Sequence, residues 1–443
     1  MLACNHDRSP FGSPLCIHLR TCREPWLRYV KWYVGTALNT EFLCVPCAER
    51  REQGVQVEVA NVCAECFEYA TTEVCNLVRV GGKAEIQIRS EPISDKFKET
   101  SLPAKLGTIV DIAPVNHSRR SIWLLLAEDG KIFRVDADAE EFTDVGRSTV
   151  PAEPDHKPWN GHALTKRLHA SNNGEFVAVV NDYGHYGQII DLRSREVTVS
   201  LYTDEYHPET VPFSFAFADF GKTVIAIYRT EWNRLDFSNP ATGKLLSARA
   251  PTRYRDGEAR PEHYLDYFHG ALYVDSTSMR ILDDGWIWHP IGVPATWRLD
   301  RWFSENVWES EDGSTKTDVC GREYYWDHAV AWLDSSRVII GGIGDDADEI
   351  IDGARIFDVT KSVDTGRLMQ EALELMTFAG PAGKFFCDGV SLFSSSESGL
   401  SRWSVEDGAR TGYVQDFQPS QHHRGAGELV QLKDRVLTRW SFQ

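Results

Sequence analysis

No stretch of the chain approaches the roughly 18 consecutive apolar residues that a membrane helix needs, so no membrane partner is expected. The opening residues, MLACNHDRSPFGSPLC, have neither a basic start nor an apolar run. That argues against a secretory signal and for a cytoplasmic chain. There is no G-x-S-x-G, no H-E-x-x-H and no glycine-rich phosphate loop. No complete catalytic motif is therefore present, and no catalytic residue is assigned. Helical periodicity is almost missing beyond residue 105; the one stretch that reads as helix lies near Arg367–Thr377. Cysteine nearly vanishes after the first part of the chain, where only Cys320 and Cys387 remain of ten. Basic charge is scarce too, with 47 Lys and Arg against 65 Asp and Glu. Residues 1–80 carry a net charge of −1 and the remainder −17. Such a surface repels phosphate, so nucleic acid is not an expected partner. What is present is ordinary for a soluble globular protein: 443 residues, 42% of them apolar and 25% charged. That length suggests two or three domains.

Eight of the ten cysteines fall in residues 1–75. Without a secretory signal, paired short spacings point to metal rather than to disulfides. Four pairs are present: Cys4-x-His6, Cys16-x-His18, Cys44-x-x-Cys47 and Cys63-x-x-Cys66. The last two form C-x2-C-x15-C-x2-C, close to the zinc rule. Zinc takes four N or S ligands in a tetrahedron, and each short turn supplies two. Eight ligands make two closed structural sites, with no position left for catalytic water. Cys22 and Cys75 stand in reserve as substitute ligands. Consecutive pairs would give one Cys2His2 and one Cys4 site, whereas interleaved pairs would give a cross-brace. The β-prone segment Trp26–Val34 reads as the small core of this module, residues 1–82, which Gly81-Gly82 ends. The order of the pairs resembles a RING or treble-clef cross-braced finger. The run Cys16-Ile17-His18-Leu19 also resembles the opening of UBP-type ubiquitin-binding fingers. That resemblance implies ubiquitin ligation or sensing.

From about residue 105 the pattern is all-β. A turn leads repeatedly into a strongly apolar strand, anchored at Ile122, Phe176, Val224, Leu272, Val338, Phe385 and Val436. The spacings are 54, 48, 48, 66, 47 and 51 residues. Each strand but the last precedes a second type often ending in Asp, as in KIFRVDAD, GQIIDLRS and GARIFDVTK. Units of about 50 residues with several short strands are propeller blades, each burying its faces against its neighbours. Seven anchors predict a seven-bladed β-propeller over residues 83–443, closed by the alternating strand near 84–93. Six blades with a β-rich cap is the alternative. The stretch Gly353–Val359, GARIFDV, resembles the third strand of a WD40 blade. A WD40-like or YVTN-like propeller is the fold this implies.

The long spacing marks an insertion around 283–335, which holds seven of the 14 tryptophans. Aromatics on loops anchor protein partners. Trp302, Phe303 and Trp308, in the polar stretch RWFSENVWESEDG, are expected to be exposed and partner-binding. Gly344–Glu349 reads as a solvated acidic loop, because the EF-hand order fails there. The His422-His423-Arg424 and Asn181–Tyr186 runs hold histidines and carboxylates that a propeller channel could collect. The first functional reading is a non-catalytic scaffold that binds other proteins in a larger assembly. The alternatives are a hydrolase or lyase with its site and small-molecule substrate in the propeller channel, and a ubiquitin-type ligase or sensor.

Overall fold

A computed structural model of the chain describes residues 13–21, 27–35, 39–62, 67, 75–84, 86–89, 93, 96–153, 157–254, 257–364 and 370–442. Two kinds of sheet are present. The first comprises β1 (Ser13–Cys16), β2 (Leu27–Gly35), β3 (Asn39–Cys44), β4 (Val59–Val62) and β5 (Cys75–Ala84) in the order β4-β1-β3-β2-β5. Two short helices, α1 (Ile17–Thr21) and α2 (Val45–Glu52), follow β1 and β3 without a break. Leu15, Leu19, Val30, Leu43 and Ala48 form its core, with Tyr29 and Trp32 packed on them. The glycine pair expected to end this module lies inside β5 instead, where Gly81 pairs with Trp32 and Gly82 with Tyr33.

The rest is a succession of antiparallel sheets in a propeller-like, all-β array. Each run begins with an inner strand and passes through a fully buried second strand such as Ile122–Ala127 or Phe176–Asp182. It ends at an exposed edge such as Glu141–Arg147. That gradient explains the sequence pattern, since a strand covered on both faces is apolar at every position. Seven inner strands line one central cavity of about 1220 Å³: Ile109–Pro114, Thr165–Ala170, Phe215–Phe220, Phe268–Val274, Val330–Trp332, Lys384–Cys387 and Gln421–His423. Two of the runs are joined in a nine-stranded sheet through the parallel contact of Asp318 with Glu371, and Glu323 bridges to Asp346 beside it. Among the described residues no helix is long and apolar enough to cross a membrane.

Three expectations are corrected here. The last sheet is completed by β6 (Phe97–Ser101), which pairs antiparallel with Val436–Ser441, and not by the strand near 84–93. Within that earlier segment, Gln87 and Arg89 bond the backbone of Arg410, on the edge of the preceding sheet. Ile86 and Ile88 remain exposed there, so the alternation has no buried face behind it. The helix expected near Arg367–Thr377 is the strand Gln370–Ala379, paired with Ile351–Asp364. A long edge to pair with outweighs the local helical spacing. Of the aromatics expected to be exposed, Trp302 is buried and Phe303 and Trp308 are half-buried. Trp302 is 0% exposed, because the helix Leu299–Ser304 presses it against Phe237 and Trp297. Phe303 packs on Phe220 and Phe237. Trp308 stacks on His263 at 4.3 Å beneath the Arg249 guanidinium.

Candidate functional site

The first candidate is a metal centre. Cys16 ends β1 and His18 stands in the first turn of α1; Cys44 ends β3 and Cys47 stands in the first turn of α2. Both pairs therefore straddle a strand-to-helix junction. β1 and β3 run parallel, with Leu15 opposite Phe42, so the two junctions emerge side by side. The four ligand atoms all lie within 4.8 Å of one another. His18 Nδ1 is 3.1 Å from Cys47 Sγ and 3.6 Å from Cys44 Sγ. Bonds of about 2.0–2.3 Å in a tetrahedron need ligand separations close to these. Burial, then the neighbouring thiols, push the Cys47 thiol up to about 12, and burial raises Cys44 as well. A divalent cation would hold both as thiolates. The cluster joins the second and third sequence pairs, which is neither the consecutive nor the cross-braced arrangement. Cys4, His6, Cys63 and Cys66, the other expected ligands, lie outside the described residues, as do the reserve Cys22 and the side chain of Cys75.

The second candidate is the central channel. Charged side chains do converge on it, among them Asp111, Arg167, Asp275, Lys384 and Arg424. Most are held by neighbours. Asp111 accepts the N–H groups of Ile112 at 2.9 Å and Leu168 at 2.7 Å. Arg167 Nε lies 2.5 Å from Asp182, whose carboxyl burial pushes up to about 6 against the pull of that guanidinium. Asp275 caps its own turn through the Thr277 N–H at 2.7 Å. The Arg424 guanidinium donates to the Val274 carbonyl at 3.4 Å. Burial and then Arg167 lower the His169 ring to about 3.

His423 faces away from chemistry. Its Nδ1 accepts the Ala426 N–H at 3.1 Å and its Nε2–H donates to the Ile122 carbonyl at 3.1 Å. The ring rests edge-on against Trp123. Burial lowers it to about 4, and the bond to Ile122 only partly offsets this. A folded value below the ordinary one stabilises the fold above about pH 6.5, and that stability is lost as pH falls toward 4. Between pH 7 and 5, His423→Gln should therefore lose about 2 kcal/mol less stability than the parent. Urea midpoints at both pH values measure this. Parallel losses in the two proteins would refute the assignment.

The third candidate is an aromatic ridge that the sequence did not single out as a unit. Phe268, Trp286, Trp326 and Trp159 stack in succession at centroid distances of 4.1, 4.9 and 5.5 Å. Trp288 stands edge-on to Trp286 at 5.1 Å, and Tyr206 lies against Phe268 and Trp232. Trp326 is fixed by its Nε1–H, which donates to the Thr210 carbonyl at 2.9 Å. These residues come from second-to-third-strand turns, adjoining strand ends and sheet-to-sheet crossings, which emerge on one rim of the array. Trp159, Trp288 and Tyr206 are 39%, 43% and 43% exposed over a buried aromatic base. Clustered tryptophan was visible in the sequence; which rings stay outside depends on tertiary packing. In the acidic loop Asp346 accepts the Asp348 N–H at 3.0 Å, and the Asp345 carboxylate lies 3.7 Å from Arg355.

No family model matches the chain, and no curated protein matches it. Among solved structures, a chain from "Crystal Structure of Mitotic Checkpoint Complex" aligns with 80% of this chain and 96% of that one, at 12% identity and a TM-score of 0.44.

Proposed function

We propose that the chain is a non-catalytic, intracellular scaffold: a seven-bladed propeller that binds other proteins, preceded by a module held by structural zinc. The observation that carries this reading is the contrast between channel and rim. The channel carboxylates Asp111, Asp275 and Asp388 are engaged with backbone amides, whereas the rim presents a row of exposed rings. Rigid aromatics over a packed base lose little entropy on binding and anchor protein interfaces. The seven inner strands that line the cavity support that blade number.

Zinc fits the Cys3His donor set of Cys16, His18, Cys44 and Cys47. A second ion would take Cys4, His6, Cys63 and Cys66. In support, Ser13 and Val62 pair at one end of the antiparallel β1–β4 ladder. Metal analysis of purified full chain should give close to two zinc ions; fewer than one removes the zinc reading.

Crosslinking of the full chain in its native host, read by mass spectrometry, tests the scaffold. Partner crosslinks should concentrate on the rim that bears Trp159, Trp288 and Tyr206 and should drop with Trp288→Ala. Crosslinks spread evenly over the surface and indifferent to that substitution would count against the proposal.

A further inference from the structure

Three carboxylates border the ridge, Asp327, Glu209 and Glu205, and among the described residues each ion-pairs with histidine rather than with arginine or lysine. Asp327, next to Trp326, accepts the Tyr183 hydroxyl at 2.8 Å and lies 3.5 Å from His162. Glu209 faces His207 at 3.0 Å, and that imidazole stands edge-on to Trp288 at 5.8 Å. Glu205, the neighbour of Tyr206, has an 82% exposed side chain with only Tyr202 and His185 beside it. One arginine already sits at this border, Arg253, held by Asp204 and Glu231 beside Trp232. The combination is thus selective: π-faces for a cation to rest on, and carboxylates at their edge.

We propose that this ridge docks an extended segment of a partner protein that carries arginine or lysine. The inference rests on the scaffold reading and adds the chemistry of the partner. A guanidinium can stack on an exposed indole while bonding a carboxylate beside it. The net charge of −17 on the part of the chain that bears the ridge would also speed encounter with a basic segment. An acidic or phosphorylated segment would meet repulsion at Glu205, Glu209 and Asp327.

The test is a selection from a random 12-residue peptide display library on the full chain. Enriched peptides should be richer in Arg and Lys than the starting library. Their affinity should fall at least tenfold with Trp288→Ala and with Glu205→Lys. Both positions are exposed, and circular dichroism of each variant should match the parent. Raising NaCl from 50 to 500 mM should weaken binding by about tenfold, as charge pairing at a rim requires. Enriched peptides that are neutral or acidic, or that bind both variants as well as the parent, would overturn the inference. Rim-centred crosslinks with non-basic partners would overturn it too, yet leave the scaffold standing. No enrichment at all would overturn this docking site.

Discussion

Stripping metal from the full chain with a chelator should unfold the N-terminal sheet and leave the propeller strands protected. The apolar core of that sheet is small, and three of its buried members are the ligands Cys16, Cys44 and Cys47. A core of that size does little more than offset chain entropy. A metal held by the cluster would supply the difference, since structural zinc contributes about 10–16 kcal/mol of apparent binding free energy in small finger modules. Cys47→Ser should have the same effect, because it removes a ligand from the first turn of α2 and places a hydroxyl in a buried thiol site. Hydrogen exchange read by mass spectrometry separates the two parts. Amides of β1, β3 and β4 should lose protection within seconds, while those of Ile122–Ala127 and Phe176–Asp182 keep theirs. Protection unchanged by chelator and by Cys47→Ser would exclude a metal-dependent module. Simultaneous loss in both regions would show one cooperative unit.

The sequence carried the metal pairs but not their partnership. Spacing identifies a two-residue Cys/His turn, yet which turns come together is decided by the parallel β1–β3 contact. In the propeller-like array the two recurring patterns differed in quality. KIFRVDAD, GQIIDLRS, NRLDFSNPATGK, TWRLDRW, GARIFDVTK and SRWSVEDG all fall on the third strand of their run. The apolar anchors slip: Ile122, Phe176, Val224 and Val338 lie on second strands, Leu272 and Phe385 on first strands, and Val436 on a third. Phe268–Val274 is nearly as apolar as a second strand, so hydrophobicity alone cannot tell them apart. The long spacing of 66 residues came partly from that slip. The true excursions are 239–267, which replaces most of a fourth strand, and 299–329, which carries two short helices. β6 was invisible because FKETS is polar; its Thr100 is buried only by the sheet it completes. Trp302 and Trp288 look alike in sequence, and only the packing of a short helix decides which is covered.

Replacing Arg249 by alanine should cost about 3–5 kcal/mol, the range for breaking a buried ion pair from one side. Arg249 sits in the 239–267 excursion and ties it to the other one. Its guanidinium lies 2.9 Å from Asp236 and 2.5 Å from Glu311, and donates to the Leu235 carbonyl at 2.7 Å. The side chains of Arg249 and Glu311 are each 1% exposed, so truncation leaves a buried carboxylate bonded only by the Ser310 hydroxyl among the described residues. Asp236 suffers less, since Arg234 Nε remains 3.0 Å away. The double substitution Arg249→Met with Glu311→Met should recover most of the loss, because it removes charge from both sides and keeps volume. Urea unfolding of the three proteins decides the matter; a single substitution costing under about 1 kcal/mol would mean that the excursion is not clamped there. The consequence reaches the rim. Tyr264 lies on the same excursion and packs on Trp232, which supports Tyr206. Loosening the clamp should therefore raise hydrogen exchange in 239–267 and weaken ridge binding without touching a ridge residue. A fall in peptide affinity with Arg249→Ala, restored in the double substitution, would show that buried charge far from the surface holds the docking rings in place.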